Sequence, residues 1–335
     1  MSQDTQLLWE QPEWLAQAHA WIHGELERQG VRVSGAIEQP HVRPWSTVLR
    51  VPTTAGVVYF KATAPYLARE AALMQALSRW RPDCIPRVLA ADVERGWMLM
   101  EDCGTRLRSV LEVDRDLRHW HRVLPIYAEL QIELASRRDE LLALGALDRR
   151  LAVLPERYAE LLADRGAMGI GWSGGLTPEE YARLHSLAPQ VAEMCAQLAD
   201  YRIPETLDHN DLHDNNILVR DGRYVLFDWG DACVAHPFFS MLVVPRAAAH
   251  RLGLAQNDPE LARLDEIYLE PWARYGSRED LRAAMTVARR LAMISRVLNW
   301  RSVLSNAPES FKQEFAGQVP EWLQEFLDGA TGSSW

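Results

Sequence analysis

The stretch from Leu207 to Asp231 limits what this chain can fold into more than any other. It reads L-D-H-N-D-L-H-D-N-N-I-L over 207–218 and Y-V-L-F-D-W-G-D over 224–231. Two polar loops alternate with two apolar runs, and Asp221-Gly222 sits between the runs. Asp-Gly between apolar runs is a strong hairpin signal. The expected order is loop, strand, tight turn, strand, loop, which draws Asp211, Asn216 and Asp228 to one edge. Asn216 and Asp228 each offer a hard oxygen of the kind Mg²⁺ accepts in small number beside phosphate oxygens. Asp211, five residues before Asn216, is left to take a proton from an incoming hydroxyl. A polar hairpin whose Asx residues merely cap turns is the plain alternative. A lone H-x-D would not displace that alternative; the double motif at this spacing does.

The pattern His209-x-Asp211-x-x-x-x-Asn216 followed by Asp228 resembles the catalytic and metal loops of protein kinases. It is more similar to the aminoglycoside phosphotransferase and choline kinase superfamily, whose short form is H-x-D-L-H-x-x-N-I-L and then a strand ending in D-W-x-D. Every one of those positions is filled here up to Asp231. The resemblance spans about residues 40–240 and is specific at 207–231. It implies an α+β, protein-kinase-like fold in two lobes: a small β-rich nucleotide-binding lobe at 1–102 and a larger helical lobe at 103–335. It also implies transfer of the ATP γ-phosphoryl group, with Mg²⁺, to a hydroxyl of a small molecule. Asp211 would be the base, His209 a brace for the loop, and Asn216 and Asp228 the metal ligands. Asn210 stands where many protein kinases have an Arg that reads a phosphorylated activation loop, so that regulation is not expected.

The same resemblance gives roles upstream. Lys61 ends the strand-like run Val57-Val-Tyr-Phe-Lys61, and Glu70 lies early in a helical pattern over 65–79. They resemble the kinase strand–helix ion pair that fixes a lysine on the α- and β-phosphates. A strand-end lysine in water and a solvent-facing glutamate are the ordinary readings of each alone. The loop Arg43-Pro-Trp-Ser-Thr47 falls where the family covers the phosphates; it has no glycine, so Ser46 and Thr47 stand in as hydroxyl or backbone donors. Met100-Glu-Asp-Cys-Gly104 resembles the hinge, with backbone near Glu101 to Cys103 facing the adenine edge. After Asp231 the family has a G-D-P and then an acidic residue; His236 and Ser240 replace the two acids here, marking a divergent branch.

The rest reads as packing. Residues 12–29 form an amphipathic pattern with Pro12 and Gly30 at its ends, and 31–63 look like strands. Helical patterns are expected at 124–144, with Pro125 in the first turn, at 151–162, and over 177–198 behind the capping box Thr177-Pro-Glu-Glu180. Further helices are expected at 258–275, 277–302 and 309–328. The G-x-G-x-x-G at Gly169, Gly171 and Gly174 follows a helix and not a strand, so it reads as a connection. Trp272, Tyr275, Trp300 and Trp322 read as core, with a cage for a quaternary ammonium group as the rarer use.

Composition sets the outer limits. A formal net charge of −10 over 335 residues argues against nucleic acid, suits a soluble protein and is compatible with a cationic acceptor. Cys84, Cys103, Cys195 and Cys233 form no C-x-x-C and read as reduced thiols. Residues 1–5 show no secretory signal, no run is long enough to span a bilayer, and a cytoplasmic protein is expected. The tail 329–335 is expected to fray. Two rival readings are a kinase-like protein that binds nucleotide without catalysis, and nucleotidyl transfer on the same fold.

Overall fold

The computed structural model describes residues 7–329. The expectations for residues 1–5 and for the tail after Gly329 lie outside the described residues. The chain divides into two compact units that are not continuous in sequence.

The first unit holds the described residues up to Gly104, together with Leu218–Gly230 and Ala307–Phe311. At its centre is a five-stranded antiparallel sheet in the order β1-β2-β3-β5-β4. The strands are β1 (Glu38–Arg43), β2 (Ser46–Thr53), β3 (Gly56–Thr63), β4 (Val88–Asp92) and β5 (Trp97–Glu101). Helix α1 (Pro12–Arg28) puts Trp14, Ala18, Ile22 and Leu26 on one face, the i, i+4 spacing that makes a stripe. That stripe packs on Leu49, Val51, Phe60 and Trp97 of the sheet. Trp14 and Trp97 meet edge-on at 5.6 Å, and Trp21 meets Phe60 at 5.7 Å. Strands begin at Glu38, later than the expected residue 31; upstream, only Val33 bridges to Thr53. Helix α2 (Arg69–Trp80) follows one 3-10 turn at Pro65–Leu67, so the helical pattern seen over 65–79 is two elements.

The hairpin of Ile217–Arg220 and Arg223–Leu226 turns at Asp221 (φ 52) and Gly222 (φ 77). Two positive φ values in a row are the type I′ geometry that matches strand twist. The hairpin is tied into the first unit from three sides. Leu226 N–H donates to the Cys84 carbonyl at 2.8 Å, Arg220 Nη1 to the Asp102 carbonyl at 2.5 Å, and Arg223 Nη2 to the Pro82 carbonyl at 2.6 Å. Gly104 closes against it; a Cβ there would lie 2.3 Å from the Val219 carbonyl oxygen. A single cut after residue 102 therefore misses that the hairpin belongs with the chain's first hundred residues.

The second unit holds Thr105–Ile217, Asp231–Asn306 and the chain from Lys312 on. Its helices are α3 (Leu107–Asp114), α4 (Arg118–Leu134), α5 (Arg138–Ala143), α6 (Leu154–Ala163), α7 (Pro178–Ser186), α8 (Ala188–Asp200), α9 (Val244–Leu252), α10 (Pro259–Leu269) and α11 (Arg278–Asn306). Two more follow, α12 (Glu309–Phe315), whose first turn lies in the first unit, and α13 (Gln318–Gly329). A small sheet runs through the second unit. Cys233–Ala235 lies at its centre, parallel to Leu147–Asp148 and antiparallel to Thr206–Asp208.

Three helix expectations are corrected. Pro125 sits inside α4 and not in a first turn. Its missing N–H leaves the His121 carbonyl without its helical partner, yet Val123, Leu124, Tyr127, Ala128 and Leu130 are all buried and carry the helix through. The pattern over 124–144 then breaks at a 3-10 turn, Ala135–Arg137. Thr177 and Glu180 form the reciprocal capping box, at 3.1 and 2.8 Å. The helix they start stops at Ser186, because Pro189 begins a new one, α8. The Gly-rich segment after α6 is a series of turns with Gly169, Gly171 and Gly174 all at positive φ. Trp272 is fully buried against Phe238 and Tyr268, as core. The cysteines are buried and unbridged. No helix among the described residues is long and apolar enough to cross a membrane.

Candidate active site

Lys61, Glu70 and Asp228 meet in the first unit. Lys61 is the sixth residue of β3, in register with Val48 on one side and Met98 on the other. Its ammonium reaches Glu70 Oε1 at 2.7 Å and Asp228 Oδ1 at 2.5 Å. Lys61 and Glu70 are buried, whereas the Asp228 side chain is 45% exposed. Burial alone lowers the lysine's pKa; the Asp228 and Glu70 carboxylates more than reverse this and hold it above the ordinary value. Burial pushes the Glu70 carboxyl up, while Lys61 and the Trp229 N–H, 3.1 Å from Oε1, favour its ionised form. Asp228 has φ 66, a left-handed backbone that only a tight local fold imposes on a residue with a Cβ. Trp229 supplies that anchor: it is fully buried, and its indole N–H donates to the Leu226 carbonyl at 3.3 Å.

Asp211, Asn216, His213 and His209 gather in the second unit. Strand Thr206–Asp208 ends one residue before His209. His209 is buried, and its backbone N–H donates to the Tyr127 hydroxyl at 2.9 Å. Asn210, at φ 62, turns the chain outward. The Asp211 side chain is 22% exposed and carries Arg296 on Oδ1 at 2.8 Å and His213 Nε2 on Oδ2 at 3.4 Å. Burial opposes ionisation here, but the Arg296 guanidinium and His213 outweigh it and hold the carboxyl well below the usual carboxylate range. Asn216 Nδ2 donates to the Asp211 carbonyl at 3.0 Å and approaches Asp211 Oδ2 at 3.4 Å. That fixes the Asn216 amide so that its carbonyl oxygen is turned away from Asp211.

Ser46 and Thr47 are not in a loop. The turn between β1 and β2 is only Pro44-Trp45, because Arg43 pairs directly with Ser46. Both residues lie in β2 and are buried. The Thr47 hydroxyl donates to the His41 carbonyl at 2.8 Å and accepts from Gln39 Nε2 at 2.9 Å; Ser46 Oγ lies 3.3 Å from His41 Nε2. Their hydroxyls serve the sheet. At the hinge-like segment, Glu101 N–H is taken by the Arg87 carbonyl at 3.0 Å, and Cys103 is a buried thiol 3.5 Å from Glu101 Oε1. Burial and the neighbouring carboxylate push that thiol up to about 12. Glu266 is held by Arg278 and Arg282, each at 2.6 Å.

Two participants escaped the sequence reading. Arg296 lies 85 residues beyond Asp211 with no motif around it. Asp208 is fully buried against Ser240, the Tyr127 hydroxyl at 3.4 Å and Cys233 Sγ at 3.8 Å. Ser240 and His236, the replacements for the family's acids, are buried too. Ser240 joins the Asp208 network, and His236 Nδ1 accepts from Phe238 N–H at 3.3 Å to cap the turn that follows. Burial lowers the His236 pKa to about 3, so it is a neutral cap.

Comparison with known proteins agrees with this architecture. The model of the phosphotransferase enzyme family matches residues 36–276, most of the chain. A search of curated protein sequences found no significant match. Among solved structures, the chain is similar to an ethanolamine kinase of Plasmodium vivax (10% identity, 96% of this chain and 89% of that one, TM-score 0.61). It is similar at the same TM-score of 0.61 to a choline/ethanolamine kinase family protein from Mesorhizobium loti (14% identity, 92% and 94% covered). A macrolide 2′-phosphotransferase from Brachybacterium faecium also matches (16% identity, 90% and 97% covered, TM-score 0.55). These likenesses show a kinase-like α+β fold. The family match covers most of the chain, and the chain belongs to the phosphotransferase enzyme family.

Proposed function

We propose that this protein transfers the γ-phosphoryl group of ATP to a hydroxyl of a small molecule. The observation that carries the reading is the Lys61 ammonium held between Glu70 at 2.7 Å and Asp228 at 2.5 Å, in a member of a phosphotransferase family. The acceptor oxygen attacks the γ-phosphorus, the bond to the β–γ bridging oxygen breaks, ADP leaves, and the hydroxyl proton passes to Asp211. Lys61 steadies the α- and β-phosphates, and Glu70 keeps it in place. His209 braces the loop that carries Asp211. Nucleotide would lie against residues 1–102, with the hinge backbone near Cys103 at its adenine, and acceptor against the helical remainder.

The donor set suits Mg²⁺. Asn216 has its amide nitrogen on the Asp211 carbonyl, which leaves the amide oxygen for another partner, and Asp228 has a carboxylate that reaches solvent. Two hard oxygens are few, as Mg²⁺ prefers when phosphates complete its shell. When bound, the ion would supply charge neutralisation across the phosphates. The family and the relatives named above favour an alcohol on a small molecule, and the charge of −10 makes cationic alcohols one arm of the search. A compartment that supplies ATP and keeps the four buried thiols reduced, the cytoplasm, fits the reading.

The test is an ADP-release screen over aminoglycosides, choline-like alcohols, sugars and amino-acid alcohols, with mass spectrometry of each hit. A product heavier by one phosphoryl group supports the proposal. A nucleotidylated product, or nucleotide binding with no turnover on any acceptor, would replace it with one of the rival readings.

A further inference from the structure

Helix α11 reaches the loop around Asp211 at three points. Ser295 Oγ accepts from Asn210 Nδ2 at 3.0 Å. The next residue, Arg296, donates from Nη1 to the Asn210 carbonyl at 3.1 Å, and the same nitrogen lies 2.8 Å from Asp211 Oδ1. One guanidinium nitrogen therefore hydrogen-bonds the backbone carbonyl before Asp211 and ion-pairs with its carboxylate. The Arg296 side chain is 15% exposed. Its guanidinium carbon lies 5.8 Å from the ring centre of Trp300, one turn along the helix. That ring is stacked on Phe315 at 5.7 Å and 15°. The guanidinium is thus seated by an aromatic pair on one side and engaged with the loop on the other. Asn210 sits at φ 62, a left-handed conformation that Asn tolerates better than most residues, and the Ser295 and Arg296 bonds hold it there.

We propose that Arg296 is a positioning residue for Asp211: α11 fixes the Asn210–Asp211 turn through Arg296, so that the Asp211 carboxylate is presented in one orientation to the acceptor hydroxyl. This rests on the phosphotransfer reading for what Asp211 does, and on contacts within the second unit for how it is held. With Arg296 on Oδ1 and His213 near Oδ2, the carboxylate is gripped at both oxygens, and only the rigid loop sets which lone pair meets the acceptor. A guanidinium suits this task better than an ammonium, since it can serve a carbonyl and a carboxylate from a fixed plane.

The variants are Arg296→Gln, Arg296→Lys and Asp211→Asn, each checked by thermal melting and each combined with Asp211→Asn where distinct. Arg296→Gln should lower kcat by about 10²-fold, the effect of displacing a reacting group by ~1 Å. KM for ATP should stay near its starting value, and Arg296→Lys should recover part of the loss. In the Asp211→Asn background Arg296→Gln should cost nothing more, because both changes remove one function. Hydrogen exchange followed by mass spectrometry should show peptides covering 209–213 exchanging faster in Arg296→Gln, with other regions unchanged. Unchanged kcat in Arg296→Gln, or a full further loss on top of Asp211→Asn, would overturn the assignment. If no acceptor is found, the phosphotransfer reading fails by itself, and the exchange rates still decide whether Arg296 holds the loop: unaltered protection at 209–213 would refute it.

Discussion

Asp208 shows how much chemistry a residue can conceal. It sits three positions before Asp211 but inside the strand, fully buried, with its carboxyl raised from 3.8 to about 6 by burial that its bonds to Ser240, the Asn210 N–H, Tyr127 and Cys233 only partly offset. The folded protein therefore keeps a proton on Asp208 in a range where the unfolded chain has lost it. The stability this gives is complete below about pH 4 and is lost as pH rises through about 6. Two pK units correspond to about 3 kcal/mol. Asp208→Asn should flatten the fall in stability between pH 4 and 6, measured by urea unfolding at a series of pH values; an unchanged slope would show that Asp208 titrates normally. At this scale the candidate site is legible in the sequence where its residues lie close together. His209, Asp211, Asn216 and Asp228 announce themselves by spacing. Arg296 does not, because a contact made across 85 residues leaves no trace in either segment. Asp208 looked like one more polar residue of the loop until strand pairing with Val234 and Cys233 placed it in the interior.

Among the elements, β3 and α2 carry the clearest test. Lys61 projects from the sheet and Glu70 from the second position of the helix, and the two meet as a buried ion pair. Removing Lys61 leaves the Glu70 carboxylate buried without its counter-ion, a costly state, whereas removing Glu70 leaves Lys61 paired with Asp228 alone. Lys61→Ala and Glu70→Ala should each impair ATP use, Lys61→Ala more, and the double variant should be much less than additive. A cycle on kcat/KM should return about 0.5–3 kcal/mol of coupling; strict additivity would show that they do not act together. Elements were legible where apolar periodicity and caps agree, as in α1 and at Thr177. They were misjudged where a break lies inside a continuous apolar pattern, as at Leu187, or where a two-residue turn resembles a longer loop, as at Pro44-Trp45. Periodicity reports which face is buried, and burial on both sides of a break preserves it.

For the whole molecule, the sequence pointed to two lobes but not to their interleaving. Leu218–Gly230 is held in the first unit by bonds from the hairpin to Pro82, Cys84 and Asp102, and Ala307–Phe311 joins it with Phe311 against Trp45, contacts that no local pattern encodes. One consequence of the lysine triad then bears on order of assembly. Asp228 already has a counter-ion, the Lys61 ammonium at 2.5 Å. A divalent cation arriving alone must compete with that lysine for the carboxylate, whereas one arriving with nucleotide brings phosphates that can take the lysine over. The metal and the nucleotide should therefore enter as a cooperative pair. Mg²⁺ alone should scarcely raise the melting temperature, and MgATP should raise it by more than Mg²⁺ and ATP separately sum to, since only a ligand favouring the folded state stabilises it. Equal, independent shifts would mean that the ammonium and the cation do not compete. On the proposed reading, Lys61 would act as an internal placeholder, keeping Asp228 neutralised until the phosphates arrive.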